Sequence, residues 1–207
     1  MMPDADSRST DASSSAARCY RRRAWVLIAL WTVIRFGLAA GVELVGDEAY
    51  YWLWSRDLAL SYFSKGPGVA WAIAAGTGLF GDTALGIRFA SVVCGTVTAL
   101  AGYALAARLF SPRAGFWTVA VSITMPLYVL GGFLMTIDPL SVCAWALAVL
   151  VFWHAKETTR PWLWAGVGVL IGLGMLAKYT NVALVPSFLL FCLWHGPCRH
   201  HLRRPTF

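Results

Sequence analysis

The chain has 207 residues, of which 58% are hydrophobic and 13% charged, and its formal net charge is +7 at pH 7. Soluble domains average about 45–50% apolar and about 25% charged residues, so this composition excludes a water-soluble globule. The basic residues lie mostly between apolar stretches, which excludes the single basic patch of a nucleic-acid-binding domain.

Long apolar stretches predict an all-α, polytopic transmembrane helix bundle of about six spans, because helices satisfy their own backbone hydrogen bonds in lipid. Residues 1–23 are polar, rich in serine and end in arginines, so they are predicted to be a disordered cytoplasmic tail. Residues 24–195 form the membrane domain, and 196–207 are a basic cytoplasmic tail that looks truncated. The predicted spans are 24–45, 84–110, 114–135, 139–154, 162–177 and 182–195.

The distribution of basic residues predicts the orientation of the chain. With a cytoplasmic N-terminus, the inner segments hold 12 of the 17 Lys and Arg residues, as the positive-inside rule requires. These residues are Arg8, Arg18, Arg21, Arg22, Arg23, Arg108, Arg113, Lys156, Arg160, Arg199, Arg203 and Arg204. The sequence therefore predicts a multi-pass protein of the plasma membrane.

The first outer loop, residues 46–83, is rich in tryptophan and tyrosine, which prefer the membrane–water interface. Residues 48–60 and 69–79 predict two short helices lying in that interface. Gly66, Pro67 and Gly68 interrupt helix formation, so residues 64–68 predict a turn between them.

Two acidic positions are candidates for chemistry on the outer face. Asp47 and Glu48 lie side by side where the first interfacial helix begins, and Asp138 follows the third span. An ionised carboxylate can take a proton from a hydroxyl nucleophile, so Asp47 is predicted to be a general base. The alternative is that Asp47, Glu48 and Asp138 only cap helices or occupy their first turns.

Four cationic side chains accompany these carboxylates. Lys65, in the Gly-Pro turn, is predicted to bind a phosphate, although an exposed interfacial lysine would also explain it. Arg35 lies in the middle of the first span, where a charge is costly and is expected to be functional or paired. Arg88 and Lys178 are predicted to bind substrate together with Tyr50, or alternatively to extend towards the interface.

The remaining polar residues predict less chemistry. The five cysteines are scattered without metal-ligand spacing, so they are interpreted as structural thiols, and no metal or cofactor is predicted. Gly168 and Gly172 form a GxxxG pattern in the fifth span, which predicts close helix packing.

Four stretches resemble a known family: "DEAYYWLWSRDLALSYFSKGPGVAWAI", "LFGDTALGIRFASVV", "MTIDPL" and "GLGMLAKYTNVALVP". They are similar to the N-terminal half of glycosyltransferases of families 39 and 83. Those families include bacterial relatives of dolichyl-phosphate-mannose protein mannosyltransferases and the aminoarabinose transferases of lipid A. The resemblance covers residues 25–193 and implies a GT-C fold, of which this chain would be an N-terminal fragment.

The resemblance implies a role for each candidate residue. Asp47 would be the catalytic base, Glu48 would support it, Lys65 would hold a polyprenyl phosphate, and Asp138 would line the active-site cavity. The family turn usually reads HPP or KPP, whereas here Gly66 replaces the first proline.

The implied reaction moves a sugar from a polyprenyl-phosphate-linked donor to a hydroxyl of a protein, lipid or glycan acceptor on the outer face of a bacterial membrane. Membrane lipids would be the other partners, and no nucleic acid, metal or cofactor is expected. Neither the sugar nor the acceptor is determined by the sequence. A transporter or flippase-like protein, or an inactive truncated remnant of the transferase, remains the alternative.

Overall fold

A computed structural model describes residues 5–63, 65–158 and 160–198. The regular secondary structure of these residues is helical, and they contain no β-strand, as the sequence predicted. The helices are α1 (Ala5–Gly41), α2 (Gly46–Ser55), α3 (Gly68–Phe80), α4 (Ala84–Leu109), α5 (Pro112–Ser122), α6 (Pro126–Leu130), α7 (Ile137–Glu157), α8 (Pro161–Ala177) and α9 (Leu184–Trp194).

Local sequence signals explain where the long helices begin. The Thr83 hydroxyl accepts a hydrogen bond from the Gly86 amide at 3.0 Å and so caps α4. The Ser111 hydroxyl accepts from the Ala114 amide at 3.2 Å, and Pro112 occupies the first position of α5, where no amide proton is needed. Thr136 caps α7 by accepting from the Asp138 amide.

Helix α4 is the centre of the bundle. It packs against α1, α3, α5 and α7, and α7 in turn packs against α8. Serine, threonine and glycine on α4 allow this close packing: the Thr96 hydroxyl, for example, lies 2.8 Å from the Thr32 hydroxyl of α1. The result is a helix bundle in which α4 also contacts helices that are distant along the chain, namely α1 and α7.

Among the described residues, three helices are long and apolar enough to cross a membrane: Ser14–Gly41, Ala84–Leu109 and Ile137–Glu157. They correspond to the first, second and fourth predicted spans. The shorter apolar helices α8 and α9 lie where the fifth and sixth spans were predicted. The number of spans therefore stays a prediction.

The third predicted span, residues 114–135, is not one helix. Helix α5 ends at Ser122, α6 covers only Pro126–Leu130, and turns follow up to α7. Pro126 lacks an amide proton and its ring would clash with the preceding turn, so a continuous helix would be broken there. The prediction of one continuous helix over residues 114–135 was wrong, whereas a membrane crossing by this segment stays a prediction.

Two further predictions differ from the structure. Helix α1 already begins at Ala5, so residues 5–23 are helical where a disordered tail was predicted, and residues 1–4 lie outside the described ranges. The structure gives no packing partner for the GxxxG pair, because a Cβ added at Gly168 or Gly172 would meet no described atom within 4 Å.

The two helices predicted in the first outer loop are present as α2 and α3. Helix α2 ends five residues earlier than predicted, at Ser55 rather than residue 60. The Tyr62 hydroxyl explains this: it lies 3.0 Å from the Trp54 carbonyl oxygen and 2.8 Å from that of Asp57, and it accepts from the Ala59 amide. The Tyr62 ring also stacks on Trp54, with centroids 4.8 Å apart. The position of α2 and α3 at a membrane interface remains a prediction.

Charged residues are concentrated at two opposite ends of the bundle. Arg88 lies near the start of α4, whereas Arg108 lies in its last turn and pairs with Glu157 at the end of α7. Twenty residues of helix separate the two arginines, which corresponds to about 30 Å, the thickness of a hydrocarbon core. Asp47, Glu48, Asp138 and Lys178 all share the end that contains Arg88.

Candidate active site at one end of the bundle

Glu48 and Arg88 form a fully buried ion pair. Both side chains are inaccessible to solvent, and the guanidinium binds the carboxylate through two nitrogens, with Nε–Oε1 at 2.7 Å and Nη2–Oε2 at 2.5 Å. The Glu48 oxygens also accept from the Met135 amide at 2.8 Å and the Val45 amide at 3.1 Å. The carboxylate thus fixes the start of α2, α4 and the segment that leads into α7.

The remaining donors of Arg88 all point to backbone carbonyl groups at the end of α1. Nη1 donates to Val42 at 2.7 Å and to Ala39 at 3.3 Å, and Nη2 donates to Glu43 at 2.8 Å. A guanidinium has five N–H donors, and all of them have an acceptor here. Arg88 therefore has no donor left for a substrate, and Glu48 is not placed as a free base. The geometry favours a positioning role for both residues.

Asp47, next to Glu48, has the opposite environment. Its side chain is exposed in the first turn of α2, and it makes no hydrogen bond or ion pair with another described residue. The helix N-terminus stabilises a negative charge there. Val45, not Asp47, is the N-cap residue. Asp47 is thus an ionisable, solvent-accessible carboxylate held on a rigidly anchored helix.

Tyr51 lies one helical turn after Asp47, within the electrostatic influence of both Asp47 and Asp138. It is 8% exposed and packs in an apolar cluster with Met135 and Ile137, beside the start of α7. Burial, together with the negative charges of Asp47 and Asp138, raises the pKa of Tyr51 above its ordinary value. Tyr51 is therefore a protonated hydroxyl at neutral pH, close to both carboxylates.

Asp138 and Lys178 lie at the mouth of a cavity. The Lys178 ammonium donates to the Asp138 carboxylate at 2.7 Å, and both side chains are partly exposed. The cavity has a volume of about 630 Å³ and is bounded by α4, α6, the segment after α6 and the start of α7. Its wall is mainly apolar and includes Tyr128 and the glycines at 95, 131 and 132. A sugar-sized group fits such a volume.

Lys65 lies in a tight turn that is bound to the end of α8. Its amide donates to the Tyr62 carbonyl at 2.6 Å, and the reverse bond is 3.1 Å long. A Cβ at Gly66 would be 2.2 Å from the Leu176 carbonyl oxygen, and one at Gly68 would be 2.9 Å away. Glycine is needed here because the backbone at the end of α8 approaches the turn closely. Residue 64, part of the predicted turn, lies outside the described residues.

The Lys65 ammonium has no hydrogen-bond or ion-pair partner among the residues described. Since the turn contacts Leu176 and Lys178 follows two residues later, the structure brings the Lys65 turn to the same end as the Asp138–Lys178 pair. Tyr50 is 49% exposed, and its ring lies 4.7 Å from that of Trp54 on the surface of α2.

Sequence reasoning did not identify Tyr51 or Asn181 as site residues. Asn181 is fully buried and its amide donates to the Ser141 hydroxyl at 2.6 Å and to the Lys178 carbonyl at 3.1 Å. It thereby fixes the chain that presents Lys178. A polar amide directly after an apolar helix, in "AKYTN", is the signal that indicates such a buried contact.

The exposed Asp47 carboxylate, the Tyr51 phenol, the Lys65 ammonium and the cavity thus lie at the same end of the bundle, and Asp138 and Lys178 belong to the cavity wall. A free carboxylate can remove a proton from a hydroxyl, and an ammonium stabilises a leaving group that becomes more negative. This combination suits transfer of a group away from a lipid-linked phosphate.

The chain is similar in sequence to known membrane glycosyltransferases. Residues 64–207 match the family model described as dolichyl-phosphate-mannose-protein mannosyltransferase. A lipid A galacturonosyltransferase of Rhizobium johnstonii is 33% identical over 159 residues, which cover 76% of this chain and 33% of the relative. An undecaprenyl phosphate-alpha-4-amino-4-deoxy-L-arabinose arabinosyl transferase of Pseudomonas aeruginosa is 30% identical over 175 residues, covering 81% of this chain and 31% of the relative.

The chain thus spans about a third of the length of these curated relatives. No solved structure matches it. The resemblance predicted from the sequence motifs is confirmed, because the family model covers well over half of the residues. The chain belongs to the dolichyl-phosphate-mannose-protein mannosyltransferase family of membrane glycosyltransferases.

Proposed function

We propose that this chain carries the catalytic base and the phosphate-binding turn of a glycosyltransferase on the outer face of a bacterial membrane. The enzyme moves a sugar from a polyprenyl-phosphate-linked donor to a hydroxyl of a lipid or glycan acceptor. The exposed Asp47, beside a fully paired Glu48, is the observation that carries this proposal. Family membership favours the transferase over the transporter that the sequence left open.

The names of the relatives suggest two classes of sugar for the donor. One relative is named for galacturonate, whose sugar ring carries a carboxylate, and others for 4-amino-4-deoxy-arabinose, whose ring carries an amine. The acceptor in one of these names is lipid A. Either sugar can be carried by a donor whose leaving group is a polyprenyl phosphate.

The proposed reaction is a single displacement at the anomeric carbon. Asp47 takes the proton from the acceptor hydroxyl as its oxygen forms the new bond, and the bond from the anomeric carbon to the phosphate oxygen breaks. The electron pair leaves with the polyprenyl phosphate, and the Lys65 ammonium stabilises the additional negative charge. Asp138, held by Lys178, faces the same region and orients the sugar hydroxyls.

A test of this proposal compares Asp47→Asn with Asp57→Asn, an exposed aspartate of the same loop. The protein is expressed from its own gene, and transfer is measured with undecaprenyl-phosphate galacturonate and aminoarabinose donors. Removing a general base lowers transfer by about 10²–10⁴-fold, so Asp47→Asn is expected to lose activity while still binding donor. Asp57→Asn is the control and should retain activity. Full transfer by Asp47→Asn would disprove the assignment.

A further inference from the structure

Arg35 is a buried cation without a carboxylate partner. It lies in the membrane-spanning part of α1, is 1% exposed, and its Nε and Nη2 atoms have no hydrogen-bond acceptor among the residues that the structure describes. A buried charge normally has a paired counter-charge, because its desolvation is otherwise uncompensated. By contrast, every N–H donor of Arg88, on the neighbouring helix α4, has a hydrogen-bond acceptor.

Glycine and aromatic groups surround the Arg35 guanidinium. A Cβ added at Gly132 would be 2.4 Å from Nε, and one added at Gly95 would be 2.8 Å from Nη1. The guanidinium carbon lies 5.0 Å from the centre of the Tyr128 ring and 5.7 Å from that of Trp31. Aromatic faces attract a cation, and the Tyr128 hydroxyl also interacts with the guanidinium, but neither group carries the negative charge that would neutralise Arg35. The charge therefore remains without a neutralising partner.

The three nearest groups, Gly95, Tyr128 and Gly132, also line the 630 Å³ cavity. Only glycine backbone and one phenol ring thus separate the guanidinium from the space where a ligand would lie. The other two charges at the cavity, Asp138 and Lys178, pair with each other and cancel. In an apolar wall a single uncompensated cation gives the whole cavity a positive potential.

We propose, resting on the function above, that Arg35 makes this cavity selective for a donor whose sugar carries a carboxylate. A uronic acid supplies the missing negative charge, whereas the ammonium of an amino sugar is repelled. The ligand chemistry required is an anionic oxygen group, and both a sugar carboxylate and the lipid phosphate have one. The donor comparison below separates these two sources.

The test measures the affinity of donor lipids for the protein. The protein is expressed from its own gene and reconstituted in lipid nanodiscs. The probes are undecaprenyl phosphate linked to galacturonate, the same lipid linked to galactose, and undecaprenyl phosphate alone. Galactose has a CH₂OH group where galacturonate has its carboxylate, so the ratio of the two affinities isolates the carboxylate. Attraction between the carboxylate and the nearby uncompensated cation is expected to favour galacturonate by about tenfold.

Three substitutions localise this preference. Arg35→Gln should reduce the galacturonate-to-galactose ratio to about one, Arg35→Lys should keep part of it, and Arg113→Gln, which removes an exposed arginine, should leave it unchanged. A merely structural Arg35 would lower the thermal midpoint of unfolding without altering the ratio. That result would overturn the proposal.

Two other outcomes would also overturn it. If the unmodified protein binds the galacturonate and galactose lipids with equal affinity, the cavity does not recognise the carboxylate. The behaviour of the variants would not change that conclusion. If Arg35→Gln weakens all three probes by the same factor, the charge acts on the phosphate instead. Absence of transfer from any donor would disprove the proposed function, while the binding ratio would still decide the role of Arg35.

Discussion

Glu48 and Arg88 show how much of this site depends on one pair of residues. Their side chains bind each other and, in addition, the backbone at the end of α1, before α2 and before α7. Breaking a buried pair by removing one partner is far more costly than breaking an exposed pair, because the other charge stays buried without compensation. Asp47 depends on this pair, since it is the preceding residue on the same helix.

We expect Glu48→Gln to destabilise the fold by about 3–5 kcal/mol, since Arg88 would be left as an unpaired buried cation. The matched control is Glu157→Gln, whose carboxylate pairs with Arg108 at the partly exposed opposite end and contributes about 0–1 kcal/mol. Thermal unfolding in detergent, followed by circular dichroism, measures the difference. Equal midpoints for the two variants would show that the Glu48–Arg88 pair does not hold the fold together.

At the scale of single elements, glycine determines how the Lys65 turn is held. The turn packs on the backbone at the C-terminal end of α8, and the approach at Gly66 is too close for any side chain. By contrast, Pro126 interrupts what would otherwise be one long helix, and the resulting segment between α6 and α7 forms part of the cavity wall. Backbone constraints at these two positions therefore shape the site.

Gly66→Ala should displace the turn, because the new methyl group would lie 2.2 Å from the Leu176 carbonyl oxygen. Such overpacking costs about 1–3 kcal/mol, and moving Lys65 should also weaken the binding of undecaprenyl phosphate. Gly78→Ala in α3 is the control: a Cβ there meets no described atom within 4 Å, and alanine favours helix by about 0.8–1.0 kcal/mol. Unchanged phosphate binding by Gly66→Ala would contradict the role of the turn.

At the scale of the whole molecule, the predicted orientation places Asp47, the Lys65 turn and the cavity mouth outside the cell. Labelling of cysteines with a membrane-impermeant maleimide tests this placement. Cys19 is exposed in α1, and Phe63, at the tip of the Lys65 turn, is fully exposed. In a Cys19→Ser background, Phe63→Cys should react in intact cells, whereas Cys19 in the original protein should react only after permeabilisation. The reverse pattern would invert the orientation.

Much of the architecture follows from the sequence because it depends on local chemistry. Long apolar stretches must become helices in lipid, since no water is present to satisfy their backbone groups. The breaks at Gly66, Pro67 and Gly68 were likewise readable, and four motif stretches together, including the one around Asp47, indicated the family that residues 64–207 match. The sequence also placed Asp47, Glu48, Arg88, Asp138 and Lys178 at one end, because each lies next to the same side of an apolar stretch.

The pairing of these charges was decided only by the tertiary structure. Asp47 and Glu48 are adjacent and chemically alike, yet Glu48 is buried against Arg88, 40 positions away, while Asp47 stays exposed. Asp138 meets Lys178 over the same sequence separation, and Arg35 meets no carboxylate among the described residues. A local sequence pattern indicates whether a residue prefers lipid or water. Which charged residue it pairs with depends on how α1, α4, α7 and α8 pack together.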